Sequence, residues 1–284
     1  MTTGARAARM PAGAVQRARR VPYARAFYGL MVRDARVLRR EFVAFLLRTV
    51  MNPLLFVFVF TYVMPKIGRG FGGTAAGGVS FATVLVPGLI AVAVFFQGIA
   101  AVALPLATEL GGTREIEDRL MAPLPISLVA FEKVVFSAFQ SLLAALVVFP
   151  LLYLIPAEPV VVHIASWPLL IVVVLLAGLL AGFLGLLLGT VVPPRQIGLI
   201  FSLVVVPITF LGCVYYPWQE LSPIPWLKAF TLINPLVYVS EGLRAAMTPE
   251  LPHMPVPAVL AALVTITALL AWLSTRSFIR RVTG

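Results

Sequence analysis

The 284 residues are 61% hydrophobic and only 12% charged, with a mean hydropathy of +1.01, whereas water-soluble domains run near about 45–50% and 25%. That leaves too few charges for a water-facing surface, so the composition excludes a soluble globular protein and reads as an integral membrane protein with several spans. The net charge of +11 would suggest nucleic acid in a soluble chain, but in a membrane chain an excess of Lys and Arg in the cytoplasmic loops accounts for it and no nucleic-acid partner is expected.

Residues 1–41 hold ten arginines and no apolar run long enough for a signal peptide. We read 1–22 as a disordered basic cytoplasmic tail. Over 23–41, Phe27, Leu30, Met31, Ala35 and Leu38 recur at helical spacing among Arg25, Arg33, Arg36, Arg39 and Arg40. This predicts a basic amphipathic helix in the cytoplasmic interface, either a simple anchor or a lever to a partner.

Six apolar stretches follow, at 42–63, 79–104, 134–155, 167–192, 197–216 and 256–273, each near the roughly 20 residues that a spanning helix needs. With the N-terminus inside, the cytoplasmic segments carry 18 Lys and Arg against 4 outside. That asymmetry places both termini in the cytoplasm. The fold class is therefore an all-α integral membrane protein. It has six transmembrane helices, an N-terminal amphipathic interfacial helix, and short re-entrant or interfacial extracellular helices between spans five and six. The six-span domain covers 42–284, with a cytoplasmic loop at 105–133 and an extracellular segment at 217–255.

No charge falls in the middle of a span. Arg48, Glu132 and Lys133 lie near cytoplasmic ends where they are expected to snorkel, and the mid-span polar residues are Gln97, Gln140, Ser141, Thr190, Ser202 and Thr209. None of these amides and hydroxyls ionises near neutral pH to relay a proton, which disfavours a channel or ion-coupled secondary transporter, the alternative reading. One cysteine, Cys213, and two histidines 90 residues apart, His163 and His253, give no disulfide and no zinc motif. The three lysines, Lys66, Lys133 and Lys228, stand outside any Gly-Lys-Ser/Thr, so no P-loop is present and ATP would be used only by another subunit. In the fourth span, Ala177, Ala181, Gly185 and Gly189, with Gly178 and Gly182 beside them, form a small-residue ladder for close helix packing, within the monomer or between protomers.

In the loop after the second span, Thr113 is placed to cap a two-turn helix. Glu115 and Arg119 pair at i,i+4, Ile116 and Leu120 form an apolar edge, and Pro123 and Pro125 end it. In the 217–255 segment, two apolar pieces are each too short to span, Asn234 caps the second, Pro235 occupies its first turn, and Glu241 and Arg244 pair at i,i+3. Tyr215, Tyr216, Trp218 and Trp226 add an aromatic belt. The segment is either a gate over an exit or an interfacial lid.

The stretch Gly-Thr-Arg-Glu-Ile-Glu-Asp-Arg-Leu-Met-Ala-Pro-Leu-Pro at 112–125 and the stretch from Pro225 through Asn-Pro-Leu-Val-Tyr to Leu-Arg at 244 resemble the permease family of type 2 ABC exporters. The drug-resistance and the polysaccharide or Nod-factor export branches are closest. The resemblance implies a permease subunit of an ATP-driven exporter in the bacterial cytoplasmic membrane. It would pair with a second permease (the same or related) and two copies of a separate ATPase that binds ATP and Mg, and it would move a hydrophobic or amphiphilic compound outward. It also implies that Thr113, Arg114, Glu115, Ile116, Glu117, Arg119 and Leu120 couple to the ATPase, and that Arg33, Arg36, Arg39 and Arg40 belong to a connecting helix. Phe95, Phe96, Gln97, Thr209 and Phe210 would line the substrate path along spans one, two and five. Tyr215, Tyr216, Trp218, Asn234, Pro235, Tyr238, Glu241 and Arg244 would form the extracellular gate.

Overall fold

A computed structural model describes residues 23–63, 66, 81–113, 124–155, 160 and 162–283. Among them every regular element is a helix. An amphipathic helix, α1 (Tyr23–Arg40), turns at Glu41 into α2 (Phe42–Val57), which ends in a π-turn over Phe58–Val63. Next come α3 (Phe81–Thr108), closed by a second π-turn (Glu109–Thr113), and then α4 (Ile126–Leu154) and α5 (Trp167–Val191). A 3-10 turn at Pro194–Gln196 leads into α6 (Ile197–Phe210). The short helices α7 (Pro225–Thr231) and α8 (Pro235–Met247) follow, and α9 (Val256–Thr283) closes the chain.

Local chemistry sets several of these boundaries. Ser166 Oγ accepts from the Leu169 amide to start α5, and Asn234 Oδ1 accepts from the Leu236 amide to start α8, each with a proline in the first turn. Helix α4 starts directly after Pro125.

Among the described residues five helices are long and apolar enough to cross a membrane: those at Phe42–Phe60, Phe81–Gly111, Ile126–Leu152, Trp167–Val191 and Val256–Thr283. The chain is thus an all-α, multi-pass membrane protein. Of the expected fifth span, 197–216, the structure makes Ile197–Phe210 helical. Its helix stops at Phe210, and at about 1.5 Å per residue its 14 residues reach only about 21 Å. Residues Leu211 to Cys213 then reverse the chain, with Cys213 in the left-handed region at φ 50°. Other spans are longer than expected. Helix α4 starts eight residues before Val134, and α9 continues ten residues past Leu273, because both helices run on into the arginine-rich end, where charge is no obstacle.

Helices α3 and α5 form the centre of the bundle, with α4 and α9 packed on them. The small-residue ladder works inside the monomer. A Cβ on Gly185 would stand 2.6 Å from the Ile99 carbonyl oxygen of α3, and one on Gly182 would stand 2.2 Å from Ser137 Oγ of α4. Close backbone approach therefore replaces the hydrophobic driving force that helices lack in lipid. By contrast α2 and α6 are peripheral. Val43, Leu47, Met51 and Leu55 on α2, and Leu199, Leu203, Val206 and Phe210 on α6, form exposed apolar stripes.

Candidate functional site

The polar chemistry of the bundle lies in three layers. At the arginine-poor end, α8 does not lie on the surface. It is inserted among α3, α5 and α9, with every residue from Val239 to Met247 buried. It carries two charges to a place without water: Glu241 and Arg244 are both 0% exposed and ion-paired. An unpaired charge there would be very costly, so each charge must be satisfied. Glu241 Oε1 also accepts from the Trp218 amide at 3.0 Å, and Oε2 accepts from the Met254 amide at 2.8 Å. Arg244 Nη2 donates to the Cys213 carbonyl at 3.2 Å. One ion pair therefore joins the end of the α6 reversal, the start of the 3-10 turn at Trp218–Leu221 and the approach to α9.

Neighbouring contacts complete the clamp. Asn234 Nδ2 donates to the Ile208 carbonyl at 2.7 Å, taking up a carbonyl near the end of α6. Ser240 Oγ donates to the Gly212 carbonyl at 2.7 Å. Trp218 Nε1 donates to the Lys228 carbonyl at 3.1 Å, and the Lys228 ammonium sits 4.3 Å from the Trp218 ring centroid. Tyr215 makes tilted ring contacts with Phe56 on α2, with Phe60 in the π-turn that follows it and with Phe210 on α6. Cys213 is fully buried, and burial, reinforced by the Glu241 charge, pushes its thiol up to about 12.

The eight residues expected to form a gate thus divide. Trp218, Glu241 and Arg244 form one bonded cluster, Asn234 separately ties the start of α8 to the Ile208 carbonyl, and Pro235 sets the first turn of α8. Tyr215 faces α2, Tyr216 is half-buried against the core, and the Tyr238 hydroxyl bonds the Leu232 carbonyl at the surface. Sequence reasoning missed Gly88, Gly212, Cys213 and Ser240. Their contribution is a backbone approach or a single carbonyl, which leaves no spacing pattern.

In the middle layer, Thr49 Oγ1 donates to Gln97 Oε1 at 3.2 Å and Gln97 Nε2 donates to Gln140 Oε1 at 2.9 Å, a buried chain linking α2, α3 and α4. This sets apart the residues expected on the substrate path. Gln97 and Phe95 face into the bundle at 0% and 1% exposure. Phe96 meets Phe201 of α6 edge-on at 5.2 Å, Thr209 bonds its own helix at the Val205 carbonyl, and Phe210 is exposed. The five do not form one wall.

At the arginine-rich end, Lys133 does not snorkel as expected. It turns inward to Glu109, with Nζ 2.8 Å from Oε1 and 2.7 Å from Oε2, and Glu132 is also buried. These residues lie in the second turn of the lengthened α4, where neighbouring helices cover them. Beside the pair, between α1 and α2 on one side and α3 and α4 on the other, lies a cavity of about 530 Å³. Arg33 lines it, while Arg36, Arg39 and Arg40 of α1 are exposed. The π-turn after α3 ends at Thr113. The coupling residues Arg114, Glu115, Ile116, Glu117, Arg119 and Leu120 lie outside the described residues, as does the Thr113 side chain.

The bundle with the short helix α8 inserted in it defines a class, a helical multi-pass membrane protein with no soluble domain among the described residues. The chain belongs to the ABC-2 type transporter family, whose model matches residues 25–248. It is 30% identical over 171 residues to the inner membrane transport permease YadH of Escherichia coli K12, and to the protein of that name in Shigella flexneri, covering 59% of this chain and 63% of each relative. The match thus spans somewhat less than two thirds of those relatives. No solved structure matches the chain.

Proposed function

We propose that this chain is the permease subunit of an ATP-driven ABC exporter of the bacterial cytoplasmic membrane. In this reading both termini face the cytoplasm, and two permeases, identical or related, assemble with two copies of a separate ATPase. The cargo is a hydrophobic or amphiphilic compound (a drug, lipid or glycolipid/polysaccharide) moved outward. Family membership supports the permease and the ATPase partner.

The observation that carries the mechanism is the continuity of α3. Its arginine-rich end leads into the loop at 114–123 and is fixed to α4 by the Glu109–Lys133 pair. Twenty-one residues away, Gly88 touches the backbone of Val214 beneath the clamp of Glu241 and Arg244. At about 1.5 Å per residue this rod reaches about 31 Å. A partner that closes on ATP and pushes the loop would therefore move the far end, and with it the reversal at 211–216. The exposed stripes of α2 and α6 supply the face on which a second permease packs, with the transport path between the two copies. In this reading Phe210 and Phe96 stay near the path, whereas Phe95 and Gln97 act as packing and polar linkage.

The test is reconstitution. Purified alone, the chain should hydrolyse no ATP. Co-expressed with its P-loop ATPase partner, it should co-purify with that subunit and support ATP-dependent uptake of a lipophilic dye into inverted vesicles. Dye movement driven by a proton or sodium gradient without ATP would favour the secondary-transporter reading instead.

A further inference from the structure

Helix α9 carries a basic and aromatic stripe on the side turned away from the bundle. Its inward row is Val259, Leu263, Thr267, Ser274 and Phe278. Trp272, Arg276 and Arg280 lie two residues from Ser274 or Phe278, about 200° round the helix, and all three are exposed. They follow one another at i,i+4 and so form a single stripe. The Arg276 guanidinium sits 5.3 Å from the Trp272 ring centroid, a contact that orders it without supplying a counter-charge. With Ala271, Thr275 and Ile279, these three line an open hollow of about 520 Å³. Among the described residues no acid lines the hollow, and neither Arg276 nor Arg280 has an ion pair. Residues 251–284 contain no Asp or Glu at all. Two positive charges, about 6 Å apart along the axis, are thus left uncompensated. The hollow is complementary to an anion.

We propose that this hollow holds the phosphate of an anionic phospholipid from the leaflet at the arginine-rich end. Arg276 and Arg280 would clasp the phosphate oxygens with charge-assisted bonds, while Trp272 covers the glycerol. Three observations select a lipid over a free anion or an acidic protein. Arg276 lies twenty residues beyond Val256, the start of α9, or about 30 Å. That is the thickness of the hydrocarbon layer, so Arg276 sits at headgroup depth. Toward the membrane centre the outward face continues in exposed Val264 and Leu269, an apolar surface for acyl chains. Finally, α9 packs on α5, α8 and α4, whereas the stripes proposed as the face between permeases lie on α2 and α6. A zwitterionic headgroup fits less well, because its ammonium group would meet only like charge. The site depends neither on export nor on the ATPase.

The experiment uses the full chain purified in neutral detergent, with lipid retention read by native mass spectrometry. Phosphatidylglycerol should be retained in preference to phosphatidylcholine, and millimolar inorganic phosphate should not displace it. Arg276→Gln and Arg280→Gln should each weaken retention about fivefold, and the double variant about twentyfold. Trp272→Ala should weaken it about threefold. Arg276→Lys should keep most of it. Arg195→Gln, an equal loss of charge in the 3-10 turn before α6, should bind as wild type. As a check that needs no variant, photoactivatable phosphatidylglycerol on the wild-type chain should crosslink to the peptide spanning 271–280. Equal retention of phosphatidylcholine, displacement by inorganic phosphate, wild-type retention by the double variant, an equal loss in Arg195→Gln, or crosslinks that miss 271–280 would each overturn the site. Loss of the ATPase subunit from the double variant with lipid retention unchanged would overturn it in favour of an acidic protein surface.

Discussion

Gly88 of α3 and Val214 meet backbone to backbone: a Cβ added at Gly88 would lie 2.0 Å from the Val214 carbonyl oxygen and 2.7 Å from its carbonyl carbon. This approach fixes the reversal after α6 onto the central helix. Gly88→Ala should therefore be severe, because the obstructing atoms are backbone and cannot rotate away; overpacking costs about 1–3 kcal/mol and more where relaxation is blocked. Gly29→Ala on α1 is the control. Nothing lies within 4 Å of its Cβ position, so relief of the glycine penalty in a helix should be neutral or stabilising by about 0.5–1 kcal/mol. Melting temperatures of the two purified variants, followed by size-exclusion elution after heating, check the contrast.

The Glu241–Arg244 pair predicts a particular non-additivity. Replacing only Arg244 by Met leaves a buried carboxylate with two backbone donors and no counter-charge, a change that typically costs about 3–5 kcal/mol. Replacing both, as Glu241→Gln with Arg244→Met, removes the charges together and keeps an acceptor for one of the Trp218 and Met254 amides. The double variant should be more stable than the Arg244→Met single variant, by a double-mutant cycle on thermal unfolding. Equal or greater loss in the double variant would mean that the pair is not the element holding the clamp.

Cys213 should be silent toward maleimide in the folded protein. It is fully buried, and burial pushes its thiol up, which leaves less of the reactive thiolate at a given pH. Single cysteines can therefore be added without removing it. In intact cells cysteines at 72 and 160 should label with a membrane-impermeant maleimide, and one at 112 should label only after lysis. Labelling at 112 in intact cells would invert the proposed orientation.

For the loop at 114–123, the apolar edge of Ile116 and Leu120 should be covered by the ATPase. Burying each such side chain is worth about 1.5–3 kcal/mol, so changing both to Asp should weaken ATPase co-purification by more than about tenfold, since about 1.4 kcal/mol is one decade. Glu115→Lys should act more mildly, as a solvent-screened rim charge. A double variant that inserts, retains its ATPase and transports like wild type would identify the loop as a plain linker.

Much of the architecture was determined by the sequence alone. Apolar runs of 18 to 26 residues must become helices, because in lipid each backbone N–H and C=O has to be satisfied within its own segment. The amphipathic spacing of Leu30 and Leu38 among the arginines specified α1, and Asn234-Pro235 specified the start of α8, since capping and proline geometry act over one turn. The tertiary structure decided what depends on residues far apart in the chain. The length of the fifth apolar helix was settled by the reversal at Cys213, which Ser240 and Arg244 hold from some 30 residues away. The ladder of α5 could have faced a second protomer, and only the positions of Ile99 and Ser137 assign it to the monomer. Lys133 looked like a snorkelling end residue until Glu109 was brought beside it. Burial and partner choice are properties of the assembled bundle, where distances between helices, rather than periodicity along one of them, determine the energy of each polar group.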